Sequence, residues 1–238
     1  MFKNIKPAII TTLLFSLLIT ECFSQNNIVD GLKVLKTSDF ELTGKGDAIE
    51  WKSTAFNELS EGKHGKVPYK THFKILYSNT GIYCLYNCED NFITATMKED
   101  FDDIYKEDVV EAFFWTEESS NIYFEYELSP TNLELPILVP NYNGKFLGWR
   151  PWHYEGDRKT RHATNIEYKE GKVVSWTAEF FIPYKLMEPL RNVPPQSGMK
   201  WRANFYRIDY DKTQSSWTWK PITKNFHDYN RFGTIIFE

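Results

Sequence analysis

The side chains able to do chemistry are mostly carboxylates and aromatic rings. Asp100, Asp102 and Asp103 crowd one short segment, followed by Glu107 and Asp108, with Glu111 three residues further on. Hard oxygen ligands at this density suit Ca²⁺, which takes 6–8 of them; the same run also reads as a solvated acidic loop. Two carboxylates about 5–9.5 Å apart across a cleft could hydrolyse a glycosidic bond. Carboxylates are plentiful here, but no nucleophile motif of the G-x-S-x-G type occurs, and the chain is not expected to be an enzyme. Cys84 and Cys88 lie four apart in what reads as one strand, which separates their Cα atoms by about 13 Å. That exceeds the roughly 7 Å limit for a disulfide, so both are expected as buried thiols on one face.

Aromatic rings are the other resource. Phe, Tyr and Trp make up 17% of the chain, with eight Trp and fourteen Tyr, enough to supply flat apolar surfaces to a ligand. The C–H face of a pyranose stacks on such a ring, whereas a β-sandwich core also consumes aromatics, which are strand formers. The cluster Trp149-Arg150-Pro151-Trp152-His153-Tyr154, in a Gly- and Pro-containing segment, is either a ligand platform or a loop folded onto its own domain. Trp217 and Trp219 share one strand face and are open to the same two readings. With 28 basic and 32 acidic residues and no basic block, nucleic acid and anionic membranes are poor partners.

Positioning these groups falls to strands. Period-2 alternation runs through 71–77, the Asn79-Thr80-Gly81 turn marks a hairpin, and 82–88 returns as its second arm. Further strands are read at 109–115, 121–128, 173–182, 201–210, 215–219 and 233–237, with a helical turn over 183–187. The segments 44–70 and 130–161 read as irregular. No long amphipathic helix and no repeat interrupts the pattern, so one all-β domain of sandwich or barrel type is expected over 25–238. Residues 1–24 read as a cleaved secretory signal: Lys3 and Lys6 precede a short apolar run over 8–19, and Cys22-Phe23-Ser24 offers a cleavage site after Ser24. The run is too short for a transmembrane anchor, and Glu21 argues against a lipid on Cys22. A secreted or periplasmic protein is the expectation.

Several segments occur in a telling order. Trp51 follows Gly44-Lys45-Gly46-Asp47, and Tyr83-Cys84-Leu85-Tyr86 runs on to Glu89-Asp90. Then come Glu107-Asp108-Val109-Val110-Glu111-Ala112-Phe113-Phe114, Trp176-Thr177-Ala178-Glu179-Phe180-Phe181-Ile182-Pro183 and Gly198-Met199-Lys200-Trp201-Arg202-Ala203-Asn204-Phe205. Phe226-His227 and Arg231-Phe232-Gly233 close the series. In this order and spacing the chain resembles the family 9 carbohydrate-binding modules over nearly all of residues 25–238.

The resemblance implies a single immunoglobulin-like antiparallel β-sandwich that clamps an oligo- or polysaccharide between two aromatic rings. The ring positions fall on Tyr105 and Phe226, where sugar-binding members tend to carry Trp. Glu111 takes the place of a hydroxyl acceptor, and Tyr206 or Arg207 would reach the same pocket from the neighbouring strand, according to a register that one residue would invert. Where the family leads one to expect a basic residue after Phe124, this chain has Glu125. Glu111 and Glu179 lie in apolar strands, where a charge needs a partner, and Arg207 could neutralise either. Trp51, Trp176 and Trp201 are expected to be packing residues. The resemblance further implies structural calcium, for which Asp100, Asp102 and Asp103 are the candidates, no required cofactor, and service to a glycoside hydrolase system. Two other classes use related scaffolds: hydrolysis of O-glycosyl bonds, and haem held by axial ligands. For haem the chain offers five His (His64, His72, His153, His162 and His227) without C-x-x-C-H.

Overall fold

The computed structural model describes residues 31–62, 68–211 and 213–238. The expected signal peptide with its cleavage after Ser24, the Cys22 position and His64 lie outside the described residues.

Among the described residues, fourteen strands build the fold. In chain order they are β1 (Leu32–Lys36), β2 (Asn57–Glu61), β3 (Thr71–Tyr77), β4 (Gly81–Glu89), β5 (Val109–Trp115), β6 (Ile122–Leu128) and β7 (Glu134–Tyr142). There follow β8 (Lys145–Phe146), β9 (Arg150–Pro151), β10 (Arg161–Lys169), β11 (Lys172–Pro183), β12 (Lys200–Asp209), β13 (Ser215–Thr218) and β14 (Gly233–Phe237). A single helical turn, α1 (Tyr184–Met187), follows β11. One layer has the order β10-β11-β4-β3 and the other β14-β12-β5-β6-β7, with antiparallel pairing within each. Two strands join the layers. β1 pairs in parallel with β14 through Leu32–Val34 and with β3 through Leu35 and Lys36, and β2 pairs with both β3 and β13. The expected all-β, mainly antiparallel sandwich is the fold found.

Alternation explains why these segments form strands and where the core sits. The inward set of β5 is Val110, Ala112 and Phe114; that of β4 is Ile82, Cys84, Tyr86 and Cys88; and that of β11 is Trp176, Ala178, Phe180 and Ile182. All are buried, so the two sheets close a dry interlayer. Cys84 and Cys88 are buried free thiols within it. The other face of β4 and β11 packs Tyr83, Leu85 and Phe181 against Trp51, so this sheet is covered on both sides.

The segment 130–161 departs from expectation. It holds β7, β8 and β9 in spite of Pro136 and Pro140, which have no N–H to give a ladder. Both prolines sit within β7, opposite Tyr126 and Ile122 of β6, while the far side of β7 carries only the two-residue strands β8 and β9. A near-edge strand tolerates the missing donors that a central one would not.

Charge is also placed differently from expectation. Arg207 faces the interlayer and neutralises neither Glu111 nor Glu179. Its guanidinium donates to Asp90 (2.8 Å), Asp209 (2.7 Å), the Glu89 carbonyl (2.7 Å) and Thr71 (3.2 Å), beneath the ring of Trp217 at 4.7 Å. Glu179 instead points to the outer face, where it accepts from the Trp51 indole (2.6 Å) and the Gly44 (2.6 Å) and Thr43 (3.0 Å) amides. Replacing Arg207 with Met should cost about 3–5 kcal/mol, because it strands two buried carboxylates. Chemical denaturation measures this directly, and a loss below 1 kcal/mol would show that the network is not holding the sheets.

Candidate functional site

The outward face of the second sheet is partly covered, with Phe113, Tyr123, Val139 and Tyr206 buried beneath Tyr229 and Phe232, and it opens over one cavity. The side chains alternating with its core set are Glu111 and Phe113 on β5, Glu125 and Glu127 on β6, Ile137 on β7, Ile208 on β12, and Ser216 and Thr218 on β13. They floor a cavity of about 600 Å³. Its walls come from the ends of other elements: Ser60 to Gly62 at the end of β2, Tyr105 before β5, Trp149 before β9, Gln214 before β13, and the loop from Pro221 to His227.

Both expected clamp rings line this cavity. Tyr105 sits in a 3-10 turn, with the edge of Trp149 at 5.9 Å and 77°. Phe226 lies flat on Tyr206, with centroids 4.0 Å apart and planes within 12°. The Tyr206 hydroxyl donates to the Phe226 carbonyl at 2.9 Å, fixing ring and backbone together. The register places Tyr206 opposite Glu111, on the cavity side, and therefore sends Arg207 to the interior. Tyr206 thus supports the second ring from behind, and the expected contact from Arg207 does not form.

The aromatic loop divides in the same way. Trp149 reaches the cavity, but Trp152 packs onto the sandwich with its indole donating to the Leu186 carbonyl at 2.9 Å and Arg158 over its ring. Trp152 is therefore not a wall of this site. Trp217 is core, and Trp219 packs against it while half-buried.

The floor carries three carboxyl groups where one was expected. Glu111, Glu125 and Glu127 are each 3% exposed or less. Glu111 stands opposite Glu127 across β5 and β6, and Glu125 lies two residues along on the same face. Burial pushes all three upward in pKa, Glu125 to about 8, with Glu125 adding to the rise at Glu111. A hydrogen bond between Glu125 and Glu127 favours charge on the former and a proton on the latter. Among the described residues, no lysine or arginine pairs with any of the three. His227 approaches Glu125 at 3.7 Å and bonds the Tyr123 hydroxyl at 2.7 Å, but burial lowers its pKa to about 4 and holds it neutral. Glu125 and Glu127 escaped notice as site residues because their strand reads as ordinary alternation. The signal was the acid standing where a base was expected.

The acidic loop does not gather into a cation site. Asp100 accepts from the Glu134 amide (3.1 Å), Asp102 from the Lys98 (3.4 Å) and Glu99 (3.3 Å) amides, and Asp103 pairs with Lys106 (2.5 Å). Among the described residues, the carboxylates that converge within 4.8 Å are Asp90, Asp209 and Asp211, and the first two already hold Arg207. Neither set fits calcium as it stands.

The comparisons with known proteins agree on this framework. The model of carbohydrate-binding family 9 matches residues 46–237. The chain belongs to that family. An extracellular protein of Arthroderma benhamiae is 28% identical over 183 residues, which cover 71% of this chain and 78% of the relative. Among solved structures, a candidate carbohydrate-binding protein of Bacteroides uniformis aligns with a TM-score of 0.71 at 18% identity, covering 88% of this chain and 99% of that one. A family 9 module of Caldicellulosiruptor kristjanssonii in complex with cellotriose gives a TM-score of 0.62 at 15% identity, covering 88% and 94%. Its glucose complex gives 0.59 at 13%, covering 87% and 95%. At these identities the solved structures speak for the shared sandwich.

The floor makes stability depend on pH. Glu125 has a folded pKa near 8 against an ordinary value of 4.5, so its contribution is complete below pH 4.5 and is lost as pH rises through 8. His227, lowered from 6.5 to about 4, contributes above pH 6.5 and loses that contribution as pH falls through 4. The denaturation midpoint should accordingly fall between pH 6.5 and 8.5, and Glu125→Gln should shrink that fall. An unchanged pH profile in the variant would show that Glu125 does not titrate in this window.

Proposed function

We propose that this family 9 chain binds carbohydrate in the cavity between Tyr105 and Phe226, without cleaving it. The observation that carries the reading is the meeting of both rings, drawn from segments about 120 residues apart in sequence, over one floor of hydrogen-bonding groups. A pyranose stacks its C–H face on an aromatic ring and directs its hydroxyls sideways, and such stacking gives shape selectivity with few polar contacts. Glu111, in the place implied for a hydroxyl acceptor, meets the sugar edge from the floor, and Trp149 widens the first ring's platform. Tyr and Phe offer less stacking area than paired Trp, so modest affinity is expected.

Binding without hydrolysis is favoured by the carboxyl arrangement. Hydrolysis needs two carboxyl groups flanking the scissile bond. Glu111, Glu125 and Glu127 instead share the floor of the cavity, on adjacent strands of a single sheet face, and Glu61 lines it from the end of β2. For location, the apolar leader read from the sequence and the extracellular Arthroderma benhamiae relative support secretion. Among the described residues, no helix is long and apolar enough to cross a membrane. A glycoside hydrolase system that shares the glycan is the partner this reading implies.

Calorimetric titration of the folded protein with cello- and xylo-oligosaccharides tests the site. Saturable binding should weaken at least tenfold, about 1.4 kcal/mol, on either Tyr105→Ala or Phe226→Ala, whereas Trp152→Ala should leave it intact. Retained binding in both ring variants would move the site elsewhere. Incubation with the same oligosaccharides should release no new reducing ends, and their release would make the chain an enzyme.

A further inference from the structure

The three buried carboxyl groups on the cavity floor have no evident use in holding a neutral sugar. One acceptor orients a hydroxyl; three, side by side in a desolvated floor, cost far more than they return to an uncharged ligand. The fold does not satisfy them either. One oxygen of Glu125 and one of Glu127, both fully buried, have no hydrogen-bond partner. The residues around them supply no compensating charge: Phe113, Tyr123 and Tyr206 are uncharged, and His227 is neutral. Lys224 lines the cavity without pairing with any of the three. Protons hold these groups neutral in the free protein, and a cation entering the cavity would take the place of those protons.

A metal ion is a poor match. Among the described residues, the carboxylates close enough to share one ion are Asp90, Asp209 and Asp211, on the other side of the sheet around Arg207. An ammonium group is a better one. It carries three donors in diverging directions, as separated acceptors require, and it gains further from aromatic faces such as those of Tyr105, Trp149 and Phe226.

We infer that the cavity is built for a cationic sugar, namely a hexosamine residue with a free amine, whose ammonium group bonds Glu125 and Glu127 while its ring lies between Tyr105 and Phe226. The inference rests on the sugar-binding reading of the same cavity and narrows its ligand class. Glu125 and Glu127, which line the cavity, accept the ammonium hydrogens, and the ligand's charge replaces the protons that neutralise them in the free protein.

The test compares three oligosaccharides of equal length by calorimetry at about pH 6, below ordinary amine pKa values. They are a glucosamine oligomer, its fully N-acetylated form and the neutral gluco-oligomer. The free-amine oligomer should bind at least tenfold more tightly than both others, and Glu125→Gln with Glu127→Gln should abolish that preference. Equal affinity for the amine and neutral oligomers overturns the inference and leaves the cavity a neutral-sugar site. Binding by none of the three, nor by the xylo-oligosaccharides, overturns the sugar-binding reading as well. A preference that persists in the folded double variant overturns the inference that Glu125 and Glu127 hold the ammonium group. The wild-type comparison stands alone if the double variant fails to fold.

Discussion

Arg207 sets the terms for both faces of its sheet. Its guanidinium is fully buried and is tied to Asp90 and Asp209, and through Thr71 and the Glu89 carbonyl it joins β12 to the opposing sheet. Burial raises Asp90 and the guanidinium pulls it back down, which leaves it at about 6 as the balance of two opposing effects. Because side chains alternate strictly along a strand, committing Arg207 to the interior commits Tyr206 to the outside. Tyr206 then carries Phe226. The position of a cavity ring is thereby fixed by an ion pair on the far side of the sheet.

The cavity floor shows the opposite policy toward charge. Inside the sandwich, each buried carboxylate of the Arg207 network faces a cation. On the floor, three buried carboxyl groups face phenol, imidazole and hydrocarbon. The lowered pKa of His227 follows from the same desolvation that raises its neighbours. A histidine that could have offset the acids is held neutral against Tyr123, flanked by the rings of Phe113 and Phe146. Protons, rather than counter-ions, settle the charge of this surface in the free protein.

Much of this was legible in the chain. The strands at 71–77, 109–115 and 233–237 coincide with those found: the first and last carry an alternation, and 109–115 is an apolar run buried on both faces. The clamp positions Tyr105 and Phe226 came from family resemblance, and the cavity unites them. What was not legible depended on register or on neighbours beyond the strand. Arg207 and Tyr206 are adjacent, and only pairing opposite Glu111 decides which one turns outward. Trp149 and Trp152 look equivalent in a loop, yet one indole finds the Leu186 carbonyl and the other does not. β7 was hidden by its prolines, whose cost depends on an edge position that local sequence does not state.

The division of the cavity into a floor of strands and walls of loop ends bears on how such a protein changes over generations. Floor positions belong to hydrogen-bonded ladders whose opposite side chains form the core, so drift there is paced by folding. Tyr105, Trp149 and the turn from Pro221 to Asn225 stand outside the interlayer, on irregular segments that no strand ladder fixes. The walls can therefore change while the scaffold beneath stays recognisable, as the sandwich does among solved structures that agree with this chain at fewer than one position in five.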